Sequence, residues 1–266
     1  MLLNLDRMGP GRYVLYTIGV LTALFLLLPV VFIALLSFGS SQWLQFPPPG
    51  WTLKWYEAIL DDPRWLASIW TSLKVGCCVM VLSVLVGLPA AFALVRGRFP
   101  GRTLLHAFFI SPMIVPVIIL AIALYALVLK FGLNGTFIAF VAAHLIIALP
   151  FSIICIVNSL EGFDQSTEKA AIVCGATKME AILRVTLPAI RLGIISAALF
   201  SFLASWDEVV LGIFMASPDL QTLPVKMWTT LRQDLSPVIA AVSTLLIFLT
   251  IAVMLVAAFL RRRFAR

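Results

Sequence analysis

Apolar residues along this chain come in long blocks separated by short polar connections. They neither alternate nor keep to one amphipathic stripe. Uncharged runs extend over Tyr13–Phe38, Val75–Val95, Thr103–Leu129, Phe131–Leu160 and Leu235–Leu260. Each exceeds the roughly 20 residues that a helix needs to cross the hydrocarbon core of a bilayer. A sixth run starts at Leu192, is interrupted after Trp206 by Asp207 and Glu208, and continues apolar from Val209 to Ala216. It counts as a span with an acidic interruption. The pattern therefore predicts an all-α integral membrane protein with six transmembrane helices, one transmembrane domain over residues 1–266. The first run follows Arg7 and Arg12, but its 26 residues exceed the roughly 7 to 15 of a signal-peptide core, which predicts a retained first helix. Pro29, Pro89, Pro112, Pro116 and Pro150 fall inside spans, where neighbouring helices or water must satisfy the carbonyls they free. That fits a packed bundle better than six isolated anchors.

Composition agrees. Of 266 residues, 62% are hydrophobic and 12% charged, against about 25% charged in a soluble domain. A water-soluble globule, a disordered chain, a coiled coil and a secreted disulfide scaffold are excluded. The formal net charge of +7 raises the question of nucleic acid until its distribution is read. Six spans put both termini on one side, and that side collects thirteen bases: Arg7, Arg12, Arg96, Arg98, Arg102, Lys169, Lys178, Arg184, Arg191, Arg261, Arg262, Arg263 and Arg266. The opposite side holds six: Lys54, Arg64, Lys74, Lys130, Lys226 and Arg232. Bases accumulate on the cytoplasmic face of membrane proteins, so both termini are expected in the cytoplasm and the charge is an orientation signal.

The connections differ in character. Pro47, Pro48, Pro49 and Gly50 precede an aromatic-rich stretch, Trp51 to Tyr56 and Trp65, which suits a segment at the external interface or simple bilayer anchoring. The connection 161–191 is the longest on the cytoplasmic side. Asp164 or Ser166 can cap a first short helix, and Gly175 stands where a left-handed C-cap would sit. Thr177 and Glu180 have the spacing of a capping box that starts a second helix. Pro188 ends it or begins the next element. A helix-turn-helix between spans four and five is thus expected, with Ala170 and Ala171 offering a small-residue surface to a partner. The four cysteines, Cys77, Cys78, Cys155 and Cys174, have no ligand or disulfide spacing and read as small buried hydrophobes.

The string Ala170-Ala171, three residues, Gly175, nine residues, Val185-Thr-Leu187-Pro188 resembles the EAA loop of bacterial ABC importer permeases, whose pattern is E-A-A, three residues, G, nine residues, I-x-L-P. Lys169 stands at the position of the motif's Glu, with Glu168 just before it, and Val185 replaces Ile. The resemblance implies that Glu168, Lys169, Ala170, Ala171, Gly175, Leu187 and Pro188 belong to a coupling helix docked on a cytoplasmic ATPase, whose closure on ATP moves the spans. A capped helix joined rigidly to a span can transmit such a displacement. The stretch from Ser201 to Trp228, with Ser236 to Ile247, the first-span SFGSS and the later WTLKWY, is similar to the polyamine branch of those permeases. That branch implies spermidine or putrescine as solute, with another amine, an opine or a phosphonate as the alternative. It also implies two ATP-binding subunits, a second permease chain, homologous or identical, and a periplasmic or extracellular binding protein, in the bacterial inner membrane.

Asp207 and Glu208 are the only charges inside an expected span. An ionised acid at a span centre costs roughly 2.5 to 3.5 kcal/mol on insertion scales, so a water-filled pathway or a contact between helices is expected rather than lipid. Adjacent helical residues point about 100° apart, which assigns one acid to the pathway, where it attracts an ammonium group, and the other to a neighbouring helix, Lys226 or Arg232. Trp206 is a candidate for a cation–π contact with the solute or an interfacial aromatic. His144, mid-span, either serves the pathway or hydrogen-bonds across the bundle, and His106 lies near a span end. No phosphate-binding loop G-x4-G-K-[ST] is present, so the chain is expected to be non-catalytic, with no cofactor or metal of its own and with ATP and Mg bound by partner subunits. A secondary transporter or channel is the rival class. It would call for an internal inverted repeat, which is not evident here.

Overall fold

In a computed structural model of the chain the described residues are 11–233 and 236–265, of which 256–258 and 260–265 are described by backbone alone. Arg7, Leu235 and Arg266, on which the span and charge readings draw, lie outside the described residues. So do the side chains of Arg261, Arg262 and Arg263.

Among the described residues every regular element is helical, apart from two isolated bridges, Gly39 with Trp51 and Ser217 with Leu220. In chain order these are α1 (Gly11–Leu36), α2 (Lys54–Asp61), α3 (Pro63–Arg96), α4 (Arg102–Ile110), α5 (Val117–Lys130), α6 (Phe137–Glu161) and α7 (Gln165–Val173). Then follow α8 (Lys178–Ala181), a π-turn (Ile182–Thr186), α9 (Leu187–Ala189), α10 (Arg191–Trp206), α11 (Val210–Met215), α12 (Leu223–Gln233) and α13 (Pro237–Ala265). Four helices are long and apolar enough to cross a membrane: Gly11–Leu36, Pro63–Arg96, Phe137–Glu161 and Pro237–Leu255. The bent pairs Arg102–Met113 with Val117–Lys130 and Lys178–Ala189 with Arg191–Trp206 raise the number to as many as 6 if each is one span.

The described residues fall into two compact units. One comprises residues 11–62, 230–233 and 236–249. In it α1 has no buried residue, as suits a helix that is apolar all round and surrounded by lipid. Beyond α1 the chain folds back on itself: Thr52 N–H donates to Phe38 O at 2.8 Å, the Trp55 indole N–H to Gly39 O at 2.7 Å, and Ser37 and Tyr56 hydroxyls meet at 2.7 Å.

The second unit, residues 63–229 with 250–265, is built on α3, α6 and α10, which pack against one another. Small residues four apart allow it. On α3 the buried face runs Ser68, Ser72, Gly76, Val79, Ser83, Gly87 and Ala91, and on α10 Gly193, Ala197, Ser201 and Ser205. Between membrane helices, such stripes let backbones approach until dispersion and interhelical hydrogen bonds hold them. An ideal Cβ at Gly87 would lie 2.5 Å from Ser152 Oγ on α6, and one at Gly193 only 1.8 Å from Ser159 Oγ. Two hydroxyls bridge these helices: Ser152 Oγ on α6 donates to Ser83 O at 2.8 Å and Ser201 Oγ to Ala148 O at 3.3 Å.

Several expectations are corrected. The second span does not begin at Val75, because α3 starts at Pro63 and carries Arg64 and Lys74 on its first turns. Trp65 is therefore a helical residue, 5% exposed, with Lys226 Nζ over its ring at 5.6 Å. The run Thr103–Leu129 is not straight but bends by 100° between α4 and α5. Pro116 supplies no amide and disfavours helical backbone at Val115, so the chain breaks there. The run Phe131–Leu160 begins as a loop with positive φ at Gly132 and Gly135, and α6 starts at Phe137 with the Thr136 hydroxyl accepting from Ala139 N–H at 3.3 Å. Cys77 and Cys174 are exposed rather than buried. Cys77 is off the small-residue stripe of α3, one position past Gly76, and Cys174 is in the turn after α7.

Candidate coupling loop and acidic break

The loop between α6 and α10 is organised by local signals. The Asp164 carboxylate accepts from the Ser166 N–H at 2.9 Å and starts α7. Gly175 adopts φ +100°, backbone that a side chain would strain, and turns the chain toward α8. There the capping box closes: the Thr177 hydroxyl accepts from Glu180 N–H at 3.2 Å while the Glu180 carboxylate accepts from Thr177 N–H at 2.9 Å. These bonds to the ionised form hold both carboxyls below their usual range, Asp164 through Ser166 and Glu180 through Thr177.

Pro188 stands in the first turn of α9, the short element that closes the second helical run. The helical run continues from Lys178 to Ala189 and turns by 68° into α10. The π-turn Ile182–Thr186 precedes the proline, with Leu187 N–H reaching Ile182 O five residues back. A widened turn accommodates a residue that lacks an amide and crowds the carbonyl four residues before it. Leu187, Ile190 and Phe163 insert into the apolar cluster formed by Ala91, Leu94, Ile156 and Leu160, so the loop is anchored in the bundle.

The motif residues divide between two faces. Lys169, Ala170, Gly175 and Pro188 are exposed, and Ala171 and Leu187 are half-buried. Large apolar side chains also lie open on the loop: Val173 is 88% exposed, and Ile172, Met179 and Leu183 are exposed as well. Glu168 turns inward. Its Oε2 receives Arg96 Nη1, at the end of α3, at 2.6 Å, and also the hydroxyl of Thr186 from the π-turn.

The second candidate region lies where α10 ends. Trp206 is its last residue, Asp207 and Glu208 are non-helical, and the helix resumes at Val210. The acidic interruption is thus a real break, and the 100° separation of helical neighbours does not apply to the pair. Glu208 Oε1 accepts from Leu211 N–H at 2.8 Å, while Asp207 is exposed. Trp206 is buried, stacked on Phe202 with centroids 5.5 Å apart and rings inclined by 17°. Gly76 makes room for that stack, since a Cβ there would lie 2.9 Å from the Phe202 ring. The residue before Trp206 is Ser205, whose Oγ meets Nδ1 of the fully buried His144 at 2.9 Å. His106 is near the start of α4 and borders a small cavity with Arg102 and Glu161. A larger cavity, about 480 Å³, opens beside the first turns of α3 and is lined by Arg64, Ser68, Thr71, Asp219 and Lys226.

Sequence reasoning missed Arg96 and Thr186. The Arg96–Glu168 contact joins residues 72 apart and leaves no local pattern, whereas the spacing of four that packs α3 and α10 was there to be read.

A family model described as binding-protein-dependent transport system inner membrane component matches residues 83–266. The chain belongs to that family. It is accordingly a multi-pass component of the bacterial inner membrane and a permease subunit of an ABC importer, a non-catalytic role within a transport system. Among curated relatives, the spermidine/putrescine transport system permease protein PotC of Escherichia coli (strain K12) is 27% identical over 246 residues, covering 92% of this chain and 93% of that one. The putrescine transport system permease protein PotI of the same organism is 29% identical over 246 residues, covering 90% of this chain and 86% of that one. The fold matches a chain of a bacterial ABC transporter involved in the import of the acidic polysaccharide alginate, with a TM-score of 0.75, 18% identity, and 97% and 98% of the two chains covered.

Proposed function

We propose that this permease carries a polyamine, spermidine or putrescine, by alternating access driven by two cytoplasmic ATP-binding subunits. It works beside a second, homologous permease chain, and a periplasmic binding protein delivers the solute. Residues 1–266 act as one transmembrane domain of six spans, with α4 and α5 together serving as the third and α10 with α11 as the fifth, and with both termini in the cytoplasm. The bias of thirteen bases to six supports that orientation. ATP and Mg belong to the partners, and no covalent chemistry occurs in this chain.

The observation that carries the coupling role is the capped loop 161–191. It exposes Ile172, Val173, Met179 and Leu183 beside the motif residues and leads directly into α10. A helix seated in an ATPase groove through these side chains would move α10 and, through it, α3 and α6. Polyamine specificity is supported by the PotC and PotI likenesses and by the two acids in the break. Asp207, the exposed one, draws the ammonium group, Glu208 anchors α11, and Trp206 backs the break from inside the bundle.

Two measurements test this. A tagged permease purified from its own cells is expected to bring down an ATP-binding subunit, and uptake that persists without any ATPase would refute the reading. Asp207→Asn is expected to reduce putrescine uptake about tenfold, near the 1.4 kcal/mol of one lost favourable charge contact, with Glu208→Gln smaller. Unchanged uptake in both variants would remove the acids from the pathway.

A further inference from the structure

Arg96 is the last residue of α3, and α3 packs along α6 and α10. Its guanidinium lies 4.9 Å from the Phe92 ring centroid, and Phe92 packs on the apolar cluster at that end of the bundle. The side chains of Arg96 and Glu168 are 19% and 16% exposed, so solvent screens the pair far less than a surface salt bridge. Both hydrogen bonds to Glu168, from Arg96 Nη1 and from the Thr186 hydroxyl, converge on the single oxygen Oε2. One atom of α7 therefore ties together the end of α3 and the π-turn that leads into α10. A small displacement of Glu168 breaks both bonds together. Arg96 Nε and Nη2 are enclosed and meet no acceptor among the described residues, so Oε2 is the acceptor that holds the guanidinium there, beside its contact with the Phe92 ring.

We propose that Arg96 is a positioning residue for energy coupling: with Glu168 and Thr186 it forms a joint through which movement of α7 reaches α3 directly, in parallel with the route through the loop into α10. The proposal rests on the coupling role given to loop 161–191. The apolar anchors Leu187 and Ile190 hold the loop to the same cluster but carry no charge and tolerate sliding. The ion pair adds direction and an all-or-none character to the link.

The test uses the complete importer in proteoliposomes, with both permeases, the ATPases and the binding protein, and reads ATP hydrolysed per labelled putrescine or spermidine imported. ATP-dependent uptake by the wild-type complex establishes the coupling reading itself, and only the variants speak to the joint. Arg96→Met is expected to raise the ratio at least tenfold, with Arg96→Lys and the swap Arg96→Glu with Glu168→Arg restoring part of it. A purely structural role would lower the amount of complex and leave the ratio of the surviving complex unchanged. An unchanged ratio in Arg96→Met overturns the proposal. Should Arg96→Met yield no complex, the same ratio is read on Arg96→Lys and Glu168→Gln, where a rise of at least twofold supports the joint and a wild-type value overturns it.

Discussion

Val173→Asp is expected to leave this permease folded in the membrane and to strip the ATP-binding subunit from it. Val173 is 88% exposed at the end of α7, so the substitution removes no packing within the chain and changes its stability by no more than about 0.5 kcal/mol. On the proposed docking face the same carboxylate would be enclosed by an apolar contact without a partner. At about 3 kcal/mol for that burial, affinity falls on the order of 100-fold. Pull-down of the ATP-binding subunit with the tagged permease reads the loss directly, and uptake should fall with it. Full retention of the ATPase by Val173→Asp would move the docking surface away from this face.

Gly193→Leu is expected to prevent assembly of the three-helix core. Overpacking a well-filled interior typically costs 1 to 3 kcal/mol, and here the obstacle includes backbone: the added Cβ would meet Ser159 Oγ at 1.8 Å and Cys155 O at 3.2 Å. The Ser159 hydroxyl can turn away, but its Cβ, 2.5 Å from the added atom, and the carbonyl cannot, so α6 and α10 must move apart at this point. The variant should run as an aggregate in size-exclusion chromatography. The milder Gly193→Ala should be lowered in melting temperature and partly rescued by Ser159→Gly, a coupling that only directly touching residues produce. A Gly193→Leu protein as monodisperse and heat-stable as the wild type would contradict the close α6–α10 contact.

These two expectations draw on different layers of legibility. The loop could be read from its residues because caps and turns are local: Asp164, Gly175, and Thr177 with Glu180 each act within three residues of themselves. The apolar blocks could be read for the same reason, since crossing a bilayer needs only length and low polarity. Helix limits were harder. Arg64 and Lys74 hid the first turns of α3, because a charge near the end of a long helix can sit in the polar interface and does not stop it. The bend at Pro116 was obscured because prolines within spans are tolerated, and only packing decides whether one kinks a helix or breaks it. The break at Asp207 and Glu208 was visible as an acidic interruption, but which of the two carboxylates bonds the chain was not, since it depends on the amide of Leu211 and on where α11 starts. The Arg96–Glu168–Thr186 joint was invisible. It exists only after α3, α7 and the π-turn meet, and no spacing in the chain announces it.

The central claim is that this chain forms part of the route by which an ATP-driven importer moves a polyamine. The most direct measurement is uptake of labelled putrescine and spermidine into proteoliposomes loaded with ATP and carrying the assembled importer, with binding protein outside. The account predicts uptake that requires this chain, stops when ADP replaces ATP, and is competed by the unlabelled polyamine. Accumulation that proceeds equally with ADP, or with this chain left out, would contradict it.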